Sequence, residues 1–110
     1  MEIYFENAKL RELANDEKKA IQKLGKLRAK TFFKRLESLY FAETPAELKL
    51  LPGNFHQLKH SRQGQWACDL CHPYRLVFEV YSFSNLNHFK DDGNLANAFS
   101  VQILEIIDYH

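Results

Sequence analysis

The apolar residues of this chain change their spacing at Pro52-Gly53, and that change limits the folds open to it. Before it, Ala8, Leu10, Leu13 and Ala14, and then Ala29, Phe32, Phe33, Leu36, Leu39 and Tyr40, recur at the spacing of one helix face. After it, the runs 55–59, 65–70, 74–81 and 99–107 are short, rich in aromatic and β-branched residues, and separated by turn residues. Helices followed by consecutive strands imply an α+β chain rather than an alternating one. Ile3-Tyr4-Phe5 adds a short strand at the start. The expected architecture is an N-terminal short strand and helices packed on a mainly antiparallel sheet of about four strands. With 110 residues, 45% of them hydrophobic, the chain can bury one core but not two, so residues 1–110 form a single domain.

Local signals set the boundaries. Asn7 is a candidate N-cap for a helix ending near Asn15, and Asn15-Asp16-Glu17 opens a longer helical stretch to about Phe41 that Gly25 can interrupt. Thr44-Pro45-Ala46-Glu47 combines a cap hydroxyl, a first-turn proline and a glutamate three residues after the cap, so a short helix is expected before Pro52-Gly53. The last strand is apolar on both faces, with Val101, Ile103 and Ile107 on one and Leu104 and Ile106 on the other. That pattern places it inside the sheet and covered on both sides. Residues 82–98, rich in Ser, Asn and Asp and containing Asp92-Gly93, read as an extended hairpin loop.

The formal charge of +1 hides a gradient: residues 1–41 carry 10 basic and 6 acidic side chains, and residues 76–110 carry 1 and 5. Lys19, Lys23, Lys26, Lys30 and Lys34 step by four, three, four and four residues, which on one helix makes a single outward stripe. Such a stripe fits a solvated face or a surface for polyanions. No apolar run reaches membrane-spanning length, and Met1-Glu2-Ile3-Tyr4-Phe5-Glu6 lacks the basic-then-apolar order of a signal peptide, so a cytoplasmic protein is expected.

Cys68-Asp69-Leu70-Cys71-His72 has the C-x-x-C-H spacing of covalent haem attachment, but it runs into Pro73, Met1 is the only methionine, and no second ligand pair completes a zinc site. The cysteines are read as small apolar fillers, and no cofactor or metal is expected. Phosphate-binding glycine loops and nucleophile elbows are absent from the sequence.

What remains is a set of polar residues at strand ends: His56, Lys59, Ser61, Arg62, Arg75 and Asp108-Tyr109-His110. Each has an ordinary structural reading by itself. Together, on antiparallel neighbours, they supply every role of metal-free RNA cleavage. A base takes the 2′-OH proton, an acid protonates the departing 5′-oxygen, and cations meet the charge on the phosphorane. Histidines suit the first two roles and Lys59 and Arg75 the third, while Tyr109 can stack on an unpaired base. The residues leave open which histidine is base and which acid.

Leu51-Pro52-Gly53 through His56-x-x-Lys59, Gly64-Gln65-Trp66, Pro73-Tyr74-Arg75-Leu76-Val77-Phe78 and Asp108-Tyr109-His110 resemble, in order and spacing, the HigB branch of the RelE/ParE toxin superfamily. The resemblance implies a microbial-RNase-like fold and a toxin of a type II toxin-antitoxin system. Such a toxin cleaves mRNA in the ribosomal A site through 2′-OH attack, without metal, and is neutralised by a HigA-like helix-turn-helix antitoxin that alone links it to DNA. It puts His56, Lys59, Arg75, Asp108, Tyr109 and His110 on the active surface. It also gives Lys19, Lys23, Lys26, Lys30, Lys34 and Arg62 a role on ribosomal RNA, where phosphate contacts provide affinity without sequence preference. Where some members carry Asn two residues before the strand arginine, this chain has Pro73. The alternative within the superfamily is a ParE-like, non-enzymatic toxin that binds and inhibits DNA gyrase and needs no acid–base pair. The terminal histidine speaks against it.

Overall fold

A computed structural model describes residues 1–89 and 95–108, with the backbone alone over 83–89 and 95–98. Strand β1 (Glu2–Phe5) leads into helices α1 (Ala8–Asn15), α2 (Glu17–Leu24), α3 (Lys26–Phe41) and the one-turn α4 (Pro45–Leu48). Strands β2 (His56–Gln57), β3 (Gln65–Asp69), β4 (Tyr74–Phe89) and β5 (Leu95–Asp108) follow, with a 3₁₀ turn at His60–Arg62.

The helix starts obey their caps. The Asn7 side chain accepts from the Leu10 N–H at 2.9 Å and that of Asp16 from the Lys19 N–H at 3.1 Å. Gly25, at φ 85°, does split the long helical stretch, and its N–H closes α2 on the Ile21 carbonyl at 2.9 Å. The capping box at α4 is shifted by one residue: Glu47 accepts from the Glu43 N–H at 3.0 Å, and Thr44 makes no side-chain cap bond.

The five strands form one sheet in the order β1-β5-β4-β3-β2, so the N-terminal strand joins the sheet instead of standing beside it. β1 runs parallel to β5 and all other pairs are antiparallel. β5 lies inside the sheet, as its apolar content requires. Its expected face assignment fails because Val77 pairs with Glu105 while Phe78 pairs with Ile103, leaving Leu104 as an extra residue. That bulge returns Ile106 to the core face with Val101 and Ile103 and turns Ile107 to the other.

Residues 82–89 and 95–98 depart from the loop reading. β4 runs on to Phe89 and β5 begins at Leu95, with Ser82 opposite Phe99 and Ser84 opposite Asn97. The Ser, Asn and Asp residues interspersed with Phe83, Leu86, Phe89 and Leu95 conceal these strands, because they read as turn formers and the apolar residues between them keep no regular period of two. The Asp92-Gly93 turn lies outside the described residues. The first run is shorter than read: β2 stops at Gln57, and Lys59, though extended, already caps the 3₁₀ turn that begins at His60, where φ is 60°.

The core lies between the sheet and α1 and α3. Phe32, Leu36 and Leu39 from α3 join Trp66, Cys68, Leu76, Phe78, Val101 and Ile103 from the sheet. Trp66 stacks on Phe78 with centroids 6.2 Å apart, and Phe55 meets Phe78 edge-on at 6.2 Å. Burying each such ring is worth about 2 to 3 kcal/mol. Tyr40 does not join this face. It is 62% exposed and packs edge-on against Phe41, because Leu39, one helical step away, already occupies the core direction.

Candidate functional site

Strand alternation gives the sheet a second face, turned away from the helices. The row His56–Ala67–Val77–Glu105 crosses it from β2 to β5, and the row Asp69–Arg75–Ile107 lies two residues further along. Ala67 and Val77 at its centre are small yet fully buried, because longer polar side chains close over them. Arg62 forms such a cover: its guanidinium donates to the Gln65 side chain on β3 at 3.0 Å and to Glu105 on β5 at 3.1 Å, crossing β4 between them.

At the β3–β4 end of this face is a polar cleft of about 150 Å³ lined by Asp69, Leu70, His72, Pro73, Tyr74 and Arg75. Arg75 pairs with Asp69 at 3.5 Å, and both remain substantially exposed. The cleft wall is held from the helical side. Arg28 stacks on the Tyr74 ring at 3.5 Å, and Arg35 donates its Nε–H to the Asp69 carbonyl at 2.7 Å.

The residues expected to act together are distributed as follows. The β4–β5 register sets Arg75 opposite Ile107 and Tyr74 opposite Asp108, so the strand leading into Tyr109-His110 ends beside Arg75. By alternation Asp108 takes the face of Tyr74, the opposite one from Arg75. Tyr109 and His110 themselves lie outside the described residues. His56 shares the Arg75 face but stands on the edge strand β2, about 10 Å of strand spacing from β4. Its Nδ1 is 2.7 Å from the Asn54 carbonyl oxygen; a carbonyl only accepts, so Nδ1 carries the hydrogen, which in the neutral ring puts the lone pair on Nε2. Lys59 is exposed where β2 has ended.

Lys19, Lys23, Lys26, Lys30 and Lys34 are all exposed, but Gly25 divides them. Lys26, Lys30 and Lys34 border a groove of about 490 Å³ between α2 and α3, floored by Ile21, Ala29 and Phe33 and flanked by Glu17 and Glu37. Lys19 and Lys23 line another with Lys9, and Lys19 is paired with Glu12. Arg62 is engaged by protein partners on two of its nitrogens.

In the sequence His72 and Asp69 belong to the rejected haem spacing, and Arg35 is one of the 10 basic residues of 1–41 with nothing to single it out. The only available signal was position: Asp69 and His72 bracket the turn that delivers Arg75. Cys68, one residue from Asp69, points the other way into the core, where burial pushes its thiol up to about 12 and Arg35 partly opposes the rise.

The far end of the same face is acidic. Tyr81 donates to Glu79, Tyr4 donates to Glu2 at 2.7 Å, and Gln102 donates to Glu6 at 3.0 Å. The hydrogen-bonded carboxylates raise both phenols above their ordinary value. A polyanion crossing this face is thus favoured at the Arg75 end and repelled at the Glu79 end.

No protein-family model and no curated protein matches this chain. Solved structures do. A YoeB/ParE toxin from Agrobacterium tumefaciens superposes with a TM-score of 0.64 at 9% identity over the whole of both chains. A chain of the YoeB–YefM complex from Staphylococcus aureus gives 0.55 at 19% identity, and the YoeB dimer from the same organism gives 0.54 at 20%. Each match covers all of this chain and 97% of the other. At these identities the likeness is one of architecture: the chain has the α+β fold seen in the YoeB/ParE toxins.

Proposed function

We propose that this protein is the toxin of a type II toxin-antitoxin pair, of the HigB type. On this reading it is a metal-independent endoribonuclease that cuts mRNA in the A site of the ribosome, in the cytoplasm, and so inhibits translation and arrests growth. The observation that carries the proposal is the β4–β5 register, which brings the strand leading to Tyr109-His110 beside Arg75 on a toxin-type fold.

In the reaction, the 2′-oxygen of the scissile nucleotide attacks phosphorus, the phosphorus–O5′ bond breaks, and the products are a 2′,3′-cyclic phosphate and a free 5′-hydroxyl. His56, with its Nε2 lone pair directed away from Asn54, takes the 2′-OH proton. His110 donates a proton to the departing 5′-oxygen. Arg75 and Lys59 stabilise the charge that gathers on the phosphorane. Tyr109 stacks on the nucleotide, Asp108 orients a neighbour, and Arg62 and the lysines of α2 and α3 hold ribosomal RNA by its phosphates. RNA must bridge the strands between His56 and Arg75, and it does so over Arg62, whose side chain covers Ala67 and Val77.

An antitoxin partner of the HigA-like helix-turn-helix kind is proposed with it, in line with the YoeB–YefM pairing of a neighbour. Primer extension on programmed ribosomes tests the function. The expected result is discrete cleavage within the A-site codon. Intact mRNA together with inhibition of gyrase supercoiling by the purified protein would establish the ParE-like alternative instead.

A further inference from the structure

The Arg75 cleft is tied to the helical layer at one point, where three separate stretches of sequence meet. The Gly53 carbonyl accepts from the Asp69 N–H at 2.7 Å, and the Asp69 carbonyl accepts from Arg35 Nε at 2.7 Å. The Asp69 carboxylate in turn pairs with Arg75. Gly53 has φ 118°, and a Cβ built there would lie 2.6 Å from Arg35 Nε and 2.8 Å from its Cζ. The guanidinium therefore occupies the space that a side chain at position 53 would fill. A planar fork seated against a glycine and bonded to a main-chain oxygen is fixed far more closely than a surface arginine.

We propose that Arg35 is a positioning residue for the cleft: seated in the space left by Gly53, its Nε–H on the Asp69 carbonyl fixes the strand end whose carboxylate holds Arg75. Arg35 touches no substrate and acts through Asp69. A lysine in its place keeps the charge but lacks the Nε donor and the planar fork. The inference rests on the ribonuclease reading for its effect on rate, though not for its effect on Arg75 itself. An error of about 1 Å in placing a reacting group can cost on the order of 100-fold in rate.

The experiment uses the full chain and two variants, Arg35→Lys and Gly53→Ala, with nitrogen-15 NMR of the arginine Nε–H groups and steady-state cleavage on programmed ribosomes. In the unaltered protein the Arg35 Nε–H should exchange with water more slowly than that of an exposed arginine; fast exchange there overturns the proposal without any variant. In Arg35→Lys the Arg75 Nε–H signal should move while the amide signals of Val101 and Ile103 stay in place. Its kcat should fall about 10- to 100-fold with KM unchanged. Gly53→Ala, which displaces the Arg35 guanidinium, should move the same Arg75 signal. An Arg75 signal and a kcat unmoved in a folded Arg35→Lys protein would overturn the assignment. If the unaltered protein cuts no mRNA, the ribonuclease reading fails by itself. The Arg75 signal then decides the tether alone, a shift supporting it and no shift overturning it.

Discussion

Strands β3, β4 and β5 present two faces built from alternate residues, and the faces follow opposite rules. Toward the helices lie Trp66, Cys68, Leu76, Phe78 and Ile103, large groups packed without exposure. Away from them Ala67 and Val77 form a small floor under Arg62, with Asp69 and Arg75 at the cleft end and Glu79 at the other. The inner face maximises buried apolar area. The outer one keeps its centre small beneath the Arg62 side chain and its rim charged, with the cleft at the Asp69 and Arg75 end. Neighbouring residues such as Cys68 and Asp69 therefore serve different ends, one packing and the other the cleft.

Substitutions that strike one face at a time can break this division. The largest effect is expected for Phe78→Ala, which removes a fully buried ring packed on Trp66 and Phe55. It should lower the unfolding free energy by about 3 to 5 kcal/mol in a denaturant titration. Arg75→Ala, on the other face, should reduce cleavage of ribosome-bound mRNA by about 10²- to 10³-fold. Its unfolding free energy should change by less than about 1 kcal/mol, since the Asp69 pair is exposed. A loss of several kcal/mol there would mean that the outer face also serves packing.

Acid–base linkage sharpens the contrast at Cys68. Its thiol is pushed from 9.0 up to about 12 by burial, so the unfolded chain ionises first as the pH rises. The stabilising contribution is complete below pH 9 and is lost as the pH climbs toward 12, by about 1.4 kcal/mol per pH unit. Urea titrations at pH 8, 10 and 11 should show no such loss below pH 9 and approach that slope between pH 10 and 11, and Cys68→Ala should reduce it. The smallest effect belongs to the helices. Lys30→Ala with Lys34→Ala should leave stability unchanged and make ribosome binding less salt-dependent, by roughly one logarithmic unit of slope for each phosphate that the variant no longer neutralises.

Much of the fold was legible because period and punctuation agreed. Asn7, Asp16 and Gly25 mark helix ends by their own chemistry, and aromatic and β-branched runs mark the sheet. The misreadings have local physical causes. Leu104 is an extra residue that inverts the alternation after it, and residues 82–89 and 95–98 are extended although Ser and Asn residues among them read as turn formers. Of the candidate site, Arg75 and its proximity to the end of β5 followed from consecutive antiparallel strands. That His56 sits at the sheet edge, and that the lysines fall into two groups about Gly25, depends on register and a backbone angle that no spacing encodes. Arg35 was hidden among eight basic residues between Lys18 and Arg35, since its partner is a main-chain carbonyl 34 residues away.

The central claim is that the outer face at the Arg75 end handles RNA. Photocrosslinking tests it directly, with 4-thiouridine placed in the A-site codon of an mRNA on programmed ribosomes and the crosslinked peptides identified by mass spectrometry. Crosslinks should fall within 65–75, on outward residues such as Asp69, His72 and Arg75. Crosslinks confined to α2 and α3, or none while the protein is bound to the ribosome, would contradict the claim.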